Sequence, residues 1–168
     1  NHVLHSTDGI TWTPASDLGT TADPNATTNT WTGVAYGNGK WVAVAAYGSS
    51  SRIMYSTDAD TWTTITDAEV SWDGSTHGWW NVIYGGDKFV AITEESRAGI
   101  HPVIVSTDGI TWQQSNVTPY DNLRRWSDIA YGDGLYVAIA GSNTASQNAI
   151  FYSTDAITWE KADTPGTA

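Results

Sequence analysis

Side chains that could carry out acid–base chemistry or bind a metal are few in this 168-residue chain. Glu94 and Glu95 are adjacent carboxylates that could act as general acids, although no neighbouring residue type tunes them for that role. The chain has four histidines and no cysteine, and no two histidines have the spacing of helical metal ligands. No Ser-His-Asp order, phosphate loop or metal-hydrolase motif occurs. The sequence therefore predicts no catalytic residue, no metal site and no cofactor.

A second group of residues could recognise a polar ligand. An aromatic ring beside cationic or acidic side chains can stack on a sugar and bond its hydroxyl groups. Such residues stand outside the repeated positions described below, and we take them as the candidate ligand site: Trp72, Trp80, His77, Arg97, His101, Tyr120 and Arg124. The alternatives are that the two tryptophans fill gaps between structural units and that the histidines are solvated loop residues.

The elements that must position these residues come from two interleaved repeats. The segment Ser-Thr-Asp-x-x-Thr-Trp occurs four times, beginning at Ser6, Ser56, Ser106 and Ser153. Between these copies, a segment that starts with Trp and ends with Tyr-Gly occurs three times, at residues 31–37, 79–85 and 126–132. Each of the three is followed by a short apolar run such as Trp41–Val44. Two motifs in one register indicate a repeat architecture.

Each repeat predicts four short strands, A to D, because the segments are rich in Val, Ile, Trp and Tyr and are separated by Gly, Asn and Asp. Four strands in about 50 residues are typical of a propeller blade. We predict an all-β fold, a single β-propeller fragment over residues 1–168. It comprises three complete four-stranded antiparallel blades, at about residues 31–65, 79–114 and 126–161. A half blade of strands C and D covers residues 2–15 at the N-terminus.

Up-and-down strand order places the short A–B and C–D turns on one face of the propeller and the longer loops on the other. The D–A loops are expected at residues 16–30, 66–78 and 115–125. Because variable loops on a rigid scaffold usually carry binding, we expect ligand recognition on the long-loop face.

The Ser-x-Asp…Thr-Trp segments resemble the Asp-box, or BNR, repeat of sialidase-like β-propellers. In this sequence Gly9 and Gly109 directly follow the aspartate, and Ala59 and Ala156 replace that glycine. This shortened form is similar to repeats in phage tail proteins and bacterial surface or secreted proteins. The resemblance implies turns between strands C and D, remote from the ligand face. Eight residues are then structural: Asp8, Trp12, Asp58, Trp62, Asp108, Trp112, Asp155 and Trp159. The alternative at Asp58 and Asp60 is a cation site.

The function that we expect is non-catalytic: binding of a glycan or a protein, or assembly of a larger extracellular, surface or tail structure. Exposed sheet edges predict association with further copies of the chain or with the remainder of a longer chain. The net charge of −11 argues against nucleic acid and anionic membranes as partners, and no segment is expected to insert into a membrane. Sequons at Asn25 and Asn116 leave glycosylation open. The alternative is a sialidase-like glycoside hydrolase, whose family requires three converging arginines; only Arg52, Arg97, Arg124 and Arg125 are present.

Overall fold

The computed structural model describes residues 3–18, 28–48, 52–66, 77–93, 101–118, 125–141 and 149–163. Their regular elements are fifteen strands in four sheets. Sheet I contains β1 (Leu4–His5) and β2 (Thr13–Pro14). Sheet II contains β3 (Thr30–Gly37), β4 (Lys40–Tyr47), β5 (Ile53–Ser56) and β6 (Thr63–Ile65). Sheet III contains β7 (Asn81–Gly85), β8 (Lys88–Ile92), β9 (Val103–Ser106) and β10 (Gln113–Gln114). Sheet IV contains β11 (Asn116–Thr118), β12 (Arg125–Gly132), β13 (Leu135–Gly141), β14 (Ala149–Ser153) and β15 (Thr158–Lys161).

Sheets II, III and IV are antiparallel meanders in which consecutive strands pair, as the repeat predicts. Sheet IV has one strand more than expected. Residues 116–118 fall in a predicted D–A loop, yet they form β11, which pairs in parallel with β15 and brings Val117 opposite Trp159. A shorter version of this contact links sheet I to sheet II, where Asp17 forms a parallel bridge with Thr61. The chain that leaves one sheet is thus tied to the outer strand of the next.

The three A–B hairpins turn through two residues that both have positive φ. The pairs are Asn38–Gly39, Gly86–Asp87 and Asp133–Gly134, with φ between 45° and 77°. Type I′ turns require this conformation and match the twist of the flanking strands, which explains why Asn, Asp and Gly recur at these positions.

Successive side chains of a strand point to opposite sides of the sheet, and here both sides of each complete sheet are apolar. We call the side that carries Trp41 and Trp62 in sheet II the aromatic side, and the side that carries Val42, Val44 and Ile53 the aliphatic side. One buried cluster joins the aliphatic side of sheet II to the aromatic side of sheet III, and another joins sheet III to sheet IV in the same way. The core therefore lies between sheets that stack in chain order.

The stacked sheets converge on their A strands. β3 contacts β7, and β7 contacts β12, whereas the outer strands of neighbouring sheets make far fewer contacts with each other. Asn38 in the first A–B turn donates a hydrogen bond to the carbonyl oxygen of Thr107, 3.1 Å away, in the Ser-Thr-Asp turn of sheet III. The A–B and C–D turns therefore share one face. This all-β arrangement is a β-propeller fragment of three complete blades and a half blade. Among the described residues, no helix is long and apolar enough to cross a bilayer.

Candidate functional site

The predicted ligand site on the long-loop face is only partly described. Trp72, Arg97, Tyr120 and Arg124 lie outside the described residues.

The other three residues belong to sheet III or its flanks. His77 is buried, with its ring edge-on to Trp79 at a centroid distance of 6.4 Å. Trp80 is half-buried, and its backbone N–H donates to the carbonyl oxygen of Ile92. His101 is half-buried with Nδ1 3.3 Å from the Ser115 carbonyl oxygen. His77 offers little surface to a ligand, and ligand recognition on this face stays a prediction.

Two arginines and several acidic residues can be placed within the described part of the chain. Arg52 donates to the carbonyl oxygens of Ala46 and Gly48, at 3.5 and 2.9 Å, and so braces the end of β4. Arg125 is exposed at the start of β12. Within the seven described ranges, no group of three or more His, Asp or Glu side chains could hold a metal ion.

The Ser-Thr-Asp turns use their aspartates to hold the backbone. Asp8 Oδ1 accepts hydrogen bonds from the N–H groups of Ile10 and Thr11, at 2.8 and 2.7 Å, and from the Ser6 hydroxyl. The bond from Thr11, followed by those from Ile10 and Ser6, lowers the pKa of Asp8 to about 2. Equivalent backbone bonds of 2.7 to 2.9 Å recur at Asp58, Asp108 and Asp155.

Asp60 is likewise engaged within the fold. Its carboxylate accepts bonds from the N–H and the hydroxyl of Ser16, both 2.8 Å, and His5 Nε2 lies 3.5 Å away. The Ser16 hydroxyl, then the Ser16 N–H, lowers the pKa of Asp60. Asp60 therefore joins sheet I to sheet II, while Asp58 serves its own turn.

The contact that recurs between complete sheets joins a tyrosine to a glycine. A Cβ built on Gly37 would lie 2.0 Å from Cγ of Tyr84, so the tyrosine ring of sheet III rests directly on the glycine of sheet II. Gly85 receives Tyr131 of sheet IV in the same manner, at 2.5 Å. Gly132 is the third glycine of this set, and nothing described lies within 4 Å of its Cβ position. Sheet IV therefore has the glycine that would contact the tyrosine of a following sheet, and no described residue covers it.

The aliphatic side of sheet IV is open as well. Val44 and Ile53 of sheet II are 0% exposed, as are Ile92 and Val103 at the same positions in sheet III. The equivalents in sheet IV are Ile139, which is 48% exposed, and Ile150, which is 42% exposed. We call the surface formed by Gly132, Val137, Ile139 and Ile150 the open face. The sequence predicts exposed sheet edges, whereas the exposed face of sheet IV becomes evident only from the order in which the sheets pack.

A groove lies at the other end of the fragment. It has a volume of about 430 Å³, lies between sheet I and the aromatic side of sheet II, and is lined in part by Val3, Trp31, Val34, Trp41 and Met54. Sheet I covers the remainder of this side, where Val3, Ala15 and Leu18 pack against buried Met54 and Trp62. Neighbouring sheets pack the aliphatic side of one against the aromatic side of the next. The fragment thus exposes the aliphatic side of sheet IV at one end and part of the aromatic side of sheet II at the other.

No known protein family matches the chain, and no curated protein matches its sequence. Solved structures do match. The endosialidase of phage phi92 gives a TM-score of 0.58 at 11% identity, covering 90% of this chain and 28% of that one. Fructan 1-exohydrolase IIa of Cichorium intybus gives 0.52 at 14% identity, covering 98% and 34%. The chain spans about a third of the length of the first solved structures that it matches. At these identities the likeness shows the fold alone, a β-propeller.

Proposed function

We propose that the chain is a non-catalytic β-propeller module that works by assembly, and that its open face binds a second copy of the chain. The observation that carries this proposal is the exposure of Ile139 and Ile150 at positions that are fully buried in sheets II and III. In a monomer this apolar surface stays exposed to water, although the equivalent surfaces of sheets II and III are buried against a neighbouring sheet. Exposed apolar patches of this kind mark interaction sites.

The second copy offers complementary chemistry at its other end. Leu4 and Trp12 are exposed on sheet I, while Ile104 and Trp112 at the same repeat positions are buried against sheet II. Sheet IV of one copy can therefore receive sheet I of the next. Such a head-to-tail contact is heterologous, and it closes into a ring or extends into a filament according to the rotation between copies.

The energetic gain per residue is modest. Burying the exposed half of one isoleucine contributes about 1 kcal/mol, and association must also offset lost translational and rotational freedom. The net charge of −11 opposes the approach of two copies at low ionic strength. We therefore expect reversible association that strengthens as salt screens this repulsion.

Sedimentation velocity over a concentration series tests the proposal. Wild-type mass should rise above the 18.1 kDa of one chain with concentration and with salt. The double variant Ile139→Asp/Ile150→Asp should remain a monomer. The matched control Thr57→Asp/Thr107→Asp adds the same two charges on exposed turn residues and should associate like the wild type. A wild type that is monomeric throughout, or a double variant that still associates, would refute the proposal.

Glycoside hydrolysis is the competing function, and the fold likeness to the phage phi92 endosialidase is what favours it. In sialidase-like enzymes it uses arginines that bind the substrate carboxylate, and the candidates Arg97 and Arg124 lie outside the described residues. Turnover of a fluorogenic sialoside that is lost in Arg97→Ala, with the fold intact by circular dichroism, would establish hydrolysis in place of assembly alone.

A further inference from the structure

The groove between sheets I and II has an unfilled strand position along one side. Among the described residues, β1 has a single partner strand, β2. The corresponding C strands are β5, β9 and β14, and each of them also pairs with a B strand on its other side. The described strands of sheet I are therefore those of the C and D positions of the repeat.

The repeat register fixes how a B strand would lie against β1. In sheet II, Trp41 pairs with Ser56, Val42 with Tyr55 and Ala43 with Met54. Ser6, His5 and Leu4 occupy the repeat positions of Ser56, Tyr55 and Met54. An incoming strand would thus place an aromatic residue opposite Ser6 and a β-branched residue opposite His5. Strand addition of this kind gains main-chain hydrogen bonds from the edge and selectivity from the side-chain pockets.

The first tyrosine of the repeat specifies a second feature of the occupant. Tyr84 and Tyr131 rest on Gly37 and Gly85 of the preceding hairpin, whereas Tyr36 is 55% exposed. A hairpin that fills the groove must carry glycine where it meets Tyr36, because any Cβ at that point would collide with the ring. Val34 is also exposed beside Tyr36 and would be covered by the same hairpin.

We propose that the groove beside β1 binds a β-hairpin of the chain's own A–B type, which adds to β1 as a strand and lays its Tyr-Gly glycine on Tyr36. The partner is defined by its chemistry: an apolar hairpin with a type I′ turn, a glycine before the turn and an aromatic residue at the start of its second strand. The groove is separate from the open face, although Leu4 and Trp12 line it and also belong to the sheet I surface offered to a second copy. The inference itself is argued from β1 and Tyr36 and does not depend on the proposed function.

The test adds such a hairpin in trans. A fluorescein-labelled synthetic peptide with the sequence of residues 30–47 is titrated with the full chain, and its anisotropy is followed. Saturable binding is expected, and amide hydrogen exchange at Leu4, whose N–H points away from β2, should slow by about tenfold or more in the complex, since the edge of β1 becomes paired. The peptide Gly37→Val should bind about tenfold more weakly or worse, because its side chain would meet the Tyr36 ring.

Two protein variants locate the binding. Tyr36→Ala removes an exposed ring, so the chain should remain folded by circular dichroism, and its affinity for the peptide should change while its preference for glycine over valine disappears. Ile150→Asp alters the open face and should leave peptide binding unchanged, which separates this inference from the proposed assembly.

The inference is overturned if the peptide shows no saturable binding, or if Gly37→Val binds as well as the parent peptide. It is also overturned if Tyr36→Ala retains full glycine selectivity. A last contrary result concerns self-association. If Tyr36→Ala abolishes self-association and the peptide does not displace it in the wild type, a second copy fills the groove and the inference is overturned.

Discussion

Replacing Gly37 with alanine should destabilise the protein, whereas the same change at Gly132 should not. Both glycines end the A strand of their sheet, at β3 and β12, and neither has positive φ, so alanine is allowed by the backbone at both positions. They differ in what their Cβ would meet. At Gly37 it would lie 2.0 to 2.2 Å from three ring carbons of Tyr84, and at Gly132 it would meet nothing within 4 Å.

The magnitude follows from this contact. Carbon atoms pack at about 3.5 to 4 Å, so the Tyr84 ring must retreat by well over 1 Å. The ring also packs against Phe89, with centroids 4.8 Å apart, which limits its movement. Overpacking of this kind costs about 1 to 3 kcal/mol, and the reduced entropy of the unfolded chain returns about 0.4 to 1 kcal/mol. We expect Gly37→Ala to lose about 1 to 2 kcal/mol and Gly132→Ala to be neutral or to gain up to about 1 kcal/mol.

Urea unfolding followed by tryptophan fluorescence measures both changes. The wild type and both variants should share one m-value, and the midpoint should fall only for Gly37→Ala. In thermal unfolding, each kcal/mol corresponds to about 2 to 4 °C for a chain of this size. Equal losses at the two glycines, or a greater loss at Gly132, would show that the Tyr84–Gly37 contact does not hold the sheets together as described.

Three further predictions concern the turns and a buried tyrosine. Ala59 is half-buried and has a φ of 64°, a conformation that glycine adopts more readily than alanine, so Ala59→Gly should stabilise the protein by about 0.5 to 1 kcal/mol. Ala156→Gly should gain less, because it also removes a fully buried methyl group. The hydrogen bonds of its turn lower the pKa of Asp8 to about 2 from its ordinary value near 3.8. The stability that Asp8 contributes is therefore present above pH 3.8 and is lost as the pH falls toward 2. Urea midpoints measured over this pH range should show the loss, and the loss should be smaller in Asp8→Asn. Tyr136 donates to the Gly85 carbonyl oxygen, and burial chiefly raises its pKa to about 12, so Tyr136→Phe should cost about 1 to 2 kcal/mol.

Each of these has a clear contrary result. A larger gain from Ala156→Gly than from Ala59→Gly would contradict the burial argument. An Asp8→Asn variant with the wild-type acid profile would show that the turn carboxylate does not contribute. Ultraviolet titration that ionises Tyr136 together with exposed tyrosines would contradict its burial.

Most of the local structure could be predicted because it depends on a few neighbouring residues. The pairs Asn38–Gly39 and Asp133–Gly134 suit positive φ, and the strands follow from runs such as Trp41–Val44. The aspartate of each Ser-Thr-Asp segment bonds residues two and three positions later, so its role is readable from spacing alone.

Features that depend on distant residues were less accessible. β11 pairs with β15 across 42 positions, as between Asn116 and Thr158, and the three-residue segment Asn-Val-Thr is too short to predict a strand by itself. The D strands also begin at different points of the repeat: β6 and β10 begin after Trp62 and Trp112, whereas β15 includes its Thr-Trp pair. In the first two cases the tryptophan ends the turn and packs between sheets.

The ligand residues of the long-loop face were the hardest to judge from sequence. Polar and aromatic types identify His77 as a candidate, yet its burial against Trp79 depends on how sheets II and III stack. The open face was missed residue by residue for the same reason: Ile139 and Ile150 have the composition of core positions, and only the packing order shows that nothing described covers them.

Methyl NMR with a soluble paramagnetic probe, recorded at low and high protein concentration, reports directly on whether the open face is exposed and then covered by a second copy. Our account predicts that at low concentration the probe broadens the methyl signals of Ile139 and Ile150 and leaves those of Val44 and Ile53 sharp. At high concentration Ile139 and Ile150 should become protected. Equal protection of all four residues at low concentration, or no change on concentration, would contradict an open face that binds a second copy.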